Sequence, residues 1–298
     1  MKWFKRIALF LAVNILVMAT ISVFLNVILP LFGIHLEPNG IGALLVFCAA
    51  WGFGGAFISL LISKKMAKWS YGVQIIDPNT ANPQERELLQ TVYRMAEAAK
   101  LPKMPEVGVY DSPEVNAFAT GPSRSNSLVA VSTGLLGRMA KGEVEGVIGH
   151  EVAHIANGDM VTMTLVQGVV NSFALFFSRI LARVIAGAVD EKISTVVYFV
   201  ATIIFDIAFT ILGSILIAMY SRRREFRADA GGAMYAGRDK MVAGLRRLQT
   251  LYPEMAPDNG GQAVMKISNK PGGILALFST HPRLEDRIER LQNMVIIR

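Results

Sequence analysis

The chain has 298 residues, 52% of them hydrophobic and only 18% charged, with a formal net charge of +7. That is too apolar for an ordinary soluble domain of this size, and a single cysteine, Cys48, leaves neither a disulfide framework nor a thiolate cluster for metal. The excess positive charge flanks apolar runs and forms no basic stripe on a polar domain, which argues against nucleic-acid binding.

In chain order, residues 7–36 and 41–63 are free of charge. Each exceeds the roughly 20 apolar residues that a helix needs to cross a bilayer. Lys2, Lys5 and Arg6 precede the first, but its apolar run is too long for the roughly 7–15-residue core of a signal peptide. It reads as an uncleaved anchor. Asn82-Pro83 opens a helix to about Lys100, with Leu88, Leu89, Val92, Met95 and Ala96 at helical spacing. Strands are expected at 107–110, 115–120 and 127–132, forming a small antiparallel sheet. A helix from Gly142 to Asn157 stops at Gly158.

Two more apolar segments follow, 160–178 and 193–220, and read as a second hairpin, expected to be transmembrane. Asp206 lies inside it, and an ionisable group at that depth needs a partner; Arg179 or Arg183 can serve. Beyond it, a helix around 239–251 and an amphipathic helix at 282–294, with Leu284, Ile288 and Leu291 on one face, complete the chain. Residues 258–262 and 270–273 read as loops, and 256–273 are long and glycine-rich enough to form a lid. The fold class is therefore a mainly α membrane protein with two to four transmembrane helices and a soluble α+β domain. Its parts are an N-terminal hairpin (1–63), the first part of the soluble domain (64–159), the second hydrophobic hairpin (160–220) and the rest of the domain (221–298).

Orientation follows from Lys and Arg in the short connections. Lys2, Lys5, Arg6, Lys64, Lys65, Lys68, Arg222, Arg223 and Arg224 flank one end of the apolar runs, whereas residues 33–40 hold no Lys or Arg and 189–192 hold one lysine with two acids. The expectation is that both termini and the 64–159 segment are cytoplasmic.

The strongest chemical signal is His150-Glu151-Val-Ala-His154. On a helix, positions i and i+4 share a face, so two imidazoles can bind one ion, and the glutamate between them can take a proton from attacking water. The plainer reading is a solvated polar face without metal. The apolar flanks Val147, Ile148, Val152, Ala153 and Ile155 oppose it, since buried imidazoles and carboxylates need partners. Catalytic zinc takes three protein ligands and keeps one position open. His281 or a carboxylate can complete the set. Glu225 is the strongest candidate, with Asp229 one turn later to hold a ligand imidazole in its tautomer. The competing reading pairs both acids with Arg222, Arg223, Arg224 or Arg227.

These motifs resemble the gluzincin pattern of thermolysin-like proteases. Asn116-Ala117-Phe118-Ala119-Thr-Gly121, the stretch from His150 to Asp159, Ser221-Arg-Arg-Arg-Glu225-Phe-Arg-Ala-Asp229 and Thr280-His281-Pro282 resemble, more narrowly, the HtpX family of bacterial membrane metalloproteases. The related CAAX-prenyl proteases have more spans than this chain can hold. The resemblance implies a zincin-like protease domain, one Zn2+ per chain, and hydrolysis of peptide bonds in misfolded membrane proteins at the cytoplasmic face of the inner membrane. It also implies partners among membrane quality-control proteases. His150, His154 and Glu225 are then the ligands, Glu151 the general base, and His281 the candidate for steadying the oxyanion, with Arg287 a weaker one. Asn116, Ala117, Phe118 and Ala119 form a substrate platform, since an edge strand holds an extended peptide by its backbone; an internal strand is the alternative. The competing function is a membrane chaperone or scaffold that keeps zinc for stability and does not cleave.

Overall fold

The computed structural model describes residues 40–252 and 279–294, with residues 23, 27, 29–31 and 277 besides. Most of the expected first span, and the loops and lid expected within 256–273, lie outside the described residues. The chain divides into two compact units, one of residues 1–59 and 163–217, the other of 60–162 and 218–298.

Among the described residues, three helices are long and apolar enough to cross a membrane: α1 (Ile41–Tyr71), a second at Asp159–Ala186 and a third at Glu191–Ala236. In the first unit they pack through small residues. Gly52 meets Ser172 and Gly168, and Gly168 in turn lies against Phe53, so a methyl group at either glycine would clash. Arg179 Nη1 lies 3.2 Å from Asp206 Oδ1, which gives this acid in an apolar run one of its two expected partners. The third helix is 46 residues long, about 69 Å at 1.5 Å per residue. That is more than twice the roughly 30 Å apolar thickness of a bilayer. The helix does not end after Tyr220 but continues through Glu225 and Asp229 to Ala236.

The second unit is built on a four-stranded sheet. β1 (Gln74–Ile75), α2 (Pro83–Ala98), β2 (Glu106–Tyr110), β3 (Ala117–Ser123), β4 (Asn126–Ser132), α3 (Thr133–Arg138) and α4 (Lys141–Asn157) follow in order. After the long helices α5 (Asp159–Ala186) and α6 (Glu191–Ala236) come α7 (Arg238–Leu251) and α8 (Leu284–Gln292). The sheet order is β1-β2-β4-β3. It is mixed rather than wholly antiparallel, because β2 and β4 run parallel. The connection 111–116 carries the chain past one strand position, two spacings or about 10 Å, and the β3–β4 hairpin then folds back into the gap. β3 is left at the edge.

Local chemistry sets these elements. The Asn82 side chain accepts from the Gln84 amide at 3.0 Å, and Pro83 starts α2. One face of α2 (Leu88, Leu89, Val92, Met95 and Ala96) is buried against the main core, which α4 shares through Val147, Ile148, Val152 and Ile155. The Ala140 amide donates to Glu143 Oε2 at 2.7 Å at the start of α4. Glu145, buried on α4, is held by Arg94 of α2 at 3.1 Å and by Lys240 of α7. On the other face of the sheet, Tyr71, Tyr110 and Phe118 pack with ring centroids 5.1–5.7 Å apart. Lys64 and Lys68 bind Glu106 at 2.9 and 2.5 Å, so the last turns of α1 are fixed to β2.

Candidate metal centre

α4 is buried almost throughout from Glu145 to Ile155, and it carries His150, Glu151 and His154. Their spacing places both imidazoles on one face. The two Nε2 atoms converge to 3.1 Å, with the rings edge to face at 85°. Glu225 of α6 meets them: its Oε2 is 3.4 Å from His150 Nε2 and its Oε1 is 3.3 Å from His154 Nε2. Among the described residues, His150, His154 and Glu225 form the group able to hold a metal ion.

Zinc at about 2.0–2.1 Å from tetrahedral ligands implies ligand–ligand edges of about 3.3–3.4 Å. The three observed separations of 3.1, 3.3 and 3.4 Å lie close to that. Glu225 Oε1 is buried without a hydrogen-bond partner, and the imidazole nitrogens face one another. Such orphaned buried groups are costly, and a cation satisfies all of them. The residues present fit zinc.

Glycine sets the helix spacing that makes this convergence possible. A Cβ on Gly232 of α6 would lie 2.9 Å from the His150 amide nitrogen and 2.9 Å from Met241 Sδ. α6 therefore approaches α4 more closely than a side chain allows, which brings the Glu225 carboxylate within reach. At the end of α4, Gly158 adopts φ 68° and turns the chain back, so that Asp159 returns beneath His154.

Both histidines have a buried carboxylate behind them. His150 Nδ1 is 2.9 Å from Asp229 Oδ1, and His154 Nδ1 is 2.7 Å from Asp159 Oδ2. Donation from Nδ1–H to these acceptors leaves Nε2 as the lone pair on each ring, the tautomer that a metal needs. Before an ion binds, burial opposes charge on His154, but Glu225 and Asp159 outweigh it and raise the imidazole to about 9. Burial opposes charge on His150 as well, and Asp229 and Glu225 raise it.

Asp229 does not pair with the arginines beside it in sequence. Its partner is Arg287 of α8, whose Nε and Nη2 donate to the two carboxylate oxygens at 2.8 and 2.6 Å. Arg222 instead donates to the carbonyls of Leu277 and Ser279, Arg224 Nε lies 3.9 Å from Glu225, and Arg227 Nη2 lies 3.8 Å from Asp159. His281 is brought to the centre: its Nδ1 is 2.9 Å from Glu225 Oε2, and its Nε2 is buried without a partner. Glu151 is buried beside the ligands on α4.

Asn116 immediately precedes the edge strand β3. Its backbone amide donates to Ser132 Oγ at 3.1 Å, and its side-chain Oδ1 is buried without a partner. Ala117 and Phe118 turn into the two cores, so β3 offers a backbone edge rather than those side chains. The role of Asp159 was not anticipated from the sequence. An acid directly after a helix-ending glycine, five residues past a ligand histidine, was the available signal.

A buried His-His-Glu centre on a helix pair, in a chain whose described residues include three helices fit to cross a bilayer, defines the class of membrane metallopeptidase. The description "Peptidase family M48" matches residues 82–295. The protein named Protease HtpX homolog of Bacillus licheniformis is 52% identical over 295 residues, covering 97% of this chain and 99% of its own. Protease HtpX of Aeromonas salmonicida is 50% identical over 296 residues, with the same coverage. The chain belongs to peptidase family M48, among its HtpX proteases. In fold it is similar to the crystal structure of S. mikatae Ste24p, with a TM-score of 0.63 at 16% identity, over 97% of this chain and 66% of that one.

Proposed function

We propose that the chain is a zinc-dependent endopeptidase that cleaves unfolded or misfolded membrane proteins at the cytoplasmic face of the bacterial inner membrane. The observation that carries the reading is the convergence of His150 Nε2, His154 Nε2 and the Glu225 carboxylate within 3.1–3.4 Å of one another, with buried Glu151 on the same helix. A zinc ion held there supplies Lewis acidity to the scissile carbonyl and acidifies the attacking water. Glu151 takes the water proton and hands it to the leaving amine. As the imidazolium, His281 donates Nδ1–H to Glu225 and keeps Nε2–H, which has no other partner, to donate to the oxyanion. The substrate lies as an added strand along the β3 edge from Asn116 to Ala119, which binds backbone and leaves side-chain choice loose. That suits unfolded segments and the partners of membrane quality control. The soluble domain is assembled from 64–159 and 221–298 around the intervening hairpin, and the Lys and Arg distribution supports its cytoplasmic location.

The test is Glu151→Gln in the purified full-length protein, assayed for cleavage of an unfolded substrate in detergent and for bound zinc. Zinc retained at one per chain with cleavage reduced by at least about a hundredfold is expected. Undiminished cleavage removes Glu151 as the base. Stoichiometric zinc without cleavage in the unsubstituted protein would favour the non-cleaving chaperone instead.

A further inference from the structure

The two ligand histidines are supported unequally. Behind His154 stands Asp159, whose other carboxylate oxygen has, among the described residues, Arg227 at 3.8 Å, a side chain 58% exposed. Behind His150 stands Asp229, gripped through both oxygens by Arg287, which is fully buried. Asp229 Oδ1 accepts from His150 Nδ1 at 2.9 Å and from Arg287 Nη2 at 2.6 Å. The same Nη2 is 3.3 Å from His150 Nδ1, and the unpaired Nη1 is 3.8 Å from Glu225 Oε2. A single guanidinium on α8 thus touches one carboxylate bidentately and stands beside a ligand histidine and a ligand glutamate.

Burying an arginine is costly unless its charge is paired. Here the demand is visible. Four buried carboxylates, Glu151, Asp159, Glu225 and Asp229, surround the centre, and a divalent ion balances two of them. The planar fork of arginine matches a carboxylate in two bonds, which fixes rotation as well as charge; lysine cannot do this. With Asp229 unable to rotate, its Oδ1 stays on the His150 Nδ1–H.

We propose that Arg287 is a positioning residue of the metal centre, acting through Asp229 to hold the His150 imidazole with Nε2 toward the ion. The inference rests on His150 being a ligand, as proposed above. Its consequence is that metal retention depends on a helix more than a hundred residues away in the chain.

The experiment uses the full-length protein in detergent, loaded with zinc and mixed with excess chromophoric chelator. Arg287→Met, Arg287→Lys, Asp229→Asn and the Asp229→Asn/Arg287→Met double variant are compared, with circular dichroism to establish folding. Partners behind metal-bound histidines are worth about 10–100-fold in metal affinity. Arg287→Met and Asp229→Asn should each release zinc about 10–100-fold faster. The double variant should be no faster than the quicker single, since both act on one chain of contacts. Arg287→Lys should recover part of the loss, and remaining cleavage should fall in kcat with KM little changed. Wild-type release from Arg287→Met, or factors that multiply in the double variant, overturns the proposal. If Arg287→Met does not fold, Arg287→Lys decides: faster release with an unaltered dichroism spectrum supports it, and wild-type release refutes it. A wild-type protein that binds no zinc would instead defeat the reading of the centre itself.

Discussion

Replacing Asp159 with alanine isolates the contribution of the carboxylate behind His154. Asp159 Oδ2 lies 2.7 Å from His154 Nδ1, and the residue is 1% exposed. Its remaining contact, Arg227 Nη2 at 3.8 Å, is with an exposed side chain and is worth under about 1 kcal/mol. Nearly all of the effect should therefore fall on His154. Without the acceptor, the ring can exchange tautomer or rotate, and Nε2 is no longer held toward Glu225. The expected loss is about 10–100-fold in zinc affinity, or roughly 1.4–2.7 kcal/mol. Asp159→Asn keeps an acceptor oxygen and should lose less. Zinc affinity is measured by competition with a chelator of known affinity, in detergent, on protein shown to be folded. If Asp159→Ala binds zinc as tightly as the unsubstituted chain, the carboxylate does not position His154 and the geometric argument fails.

Three other outcomes follow from the same geometry. Gly232→Val should force α6 from α4, because even a Cβ would sit 2.9 Å from the His150 amide nitrogen; overpacking of this kind costs about 1–3 kcal/mol, so lower thermal stability and sub-stoichiometric zinc are expected, and unchanged values of both would show that the spacing is not critical. With His154 raised to about 9 by Glu225 and Asp159 against the opposing effect of burial, zinc must displace a proton at neutral pH. Calorimetric titration in buffers of different ionisation enthalpy should report that release, and the same linkage makes this group stabilise the metal-stripped fold below about pH 6.5 and lose that contribution as pH rises through about 9; buffer-independent heats would contradict it. In a Cys48→Ser background, Glu191→Cys should react with an impermeant thiol reagent from the side opposite to Lys103→Cys, whereas reaction from the same side would mean that α5 and α6 do not span.

Periodicity made the helical half of the centre readable. His150 and His154 sit four apart on α4, and Glu225 and Asp229 sit four apart on α6, so each pair declares a shared face. The Asp206 partner was legible for a similar reason, since a charge in an apolar run must find an opposite one and the choice was short. What the sequence hid depends on non-local packing. Arg287 lies on the same helical face as Leu284, Ile288 and Leu291, all buried, so a lone arginine in an apolar stripe was the clue, yet nothing local ties it to Asp229. The parallel β2–β4 pairing was hidden likewise, because register between strands is set by how a connection crosses the sheet and not by the residues of either strand.

The central claim is that His150, His154 and Glu225 bind one zinc ion. The most direct measurement is an anomalous difference map at the zinc edge from crystals of the metal-loaded full-length protein. A single peak per chain within about 2.0–2.2 Å of His150 Nε2, His154 Nε2 and a Glu225 carboxylate oxygen is predicted. A peak that excludes Glu225, or one held by His281 in its place, would contradict it.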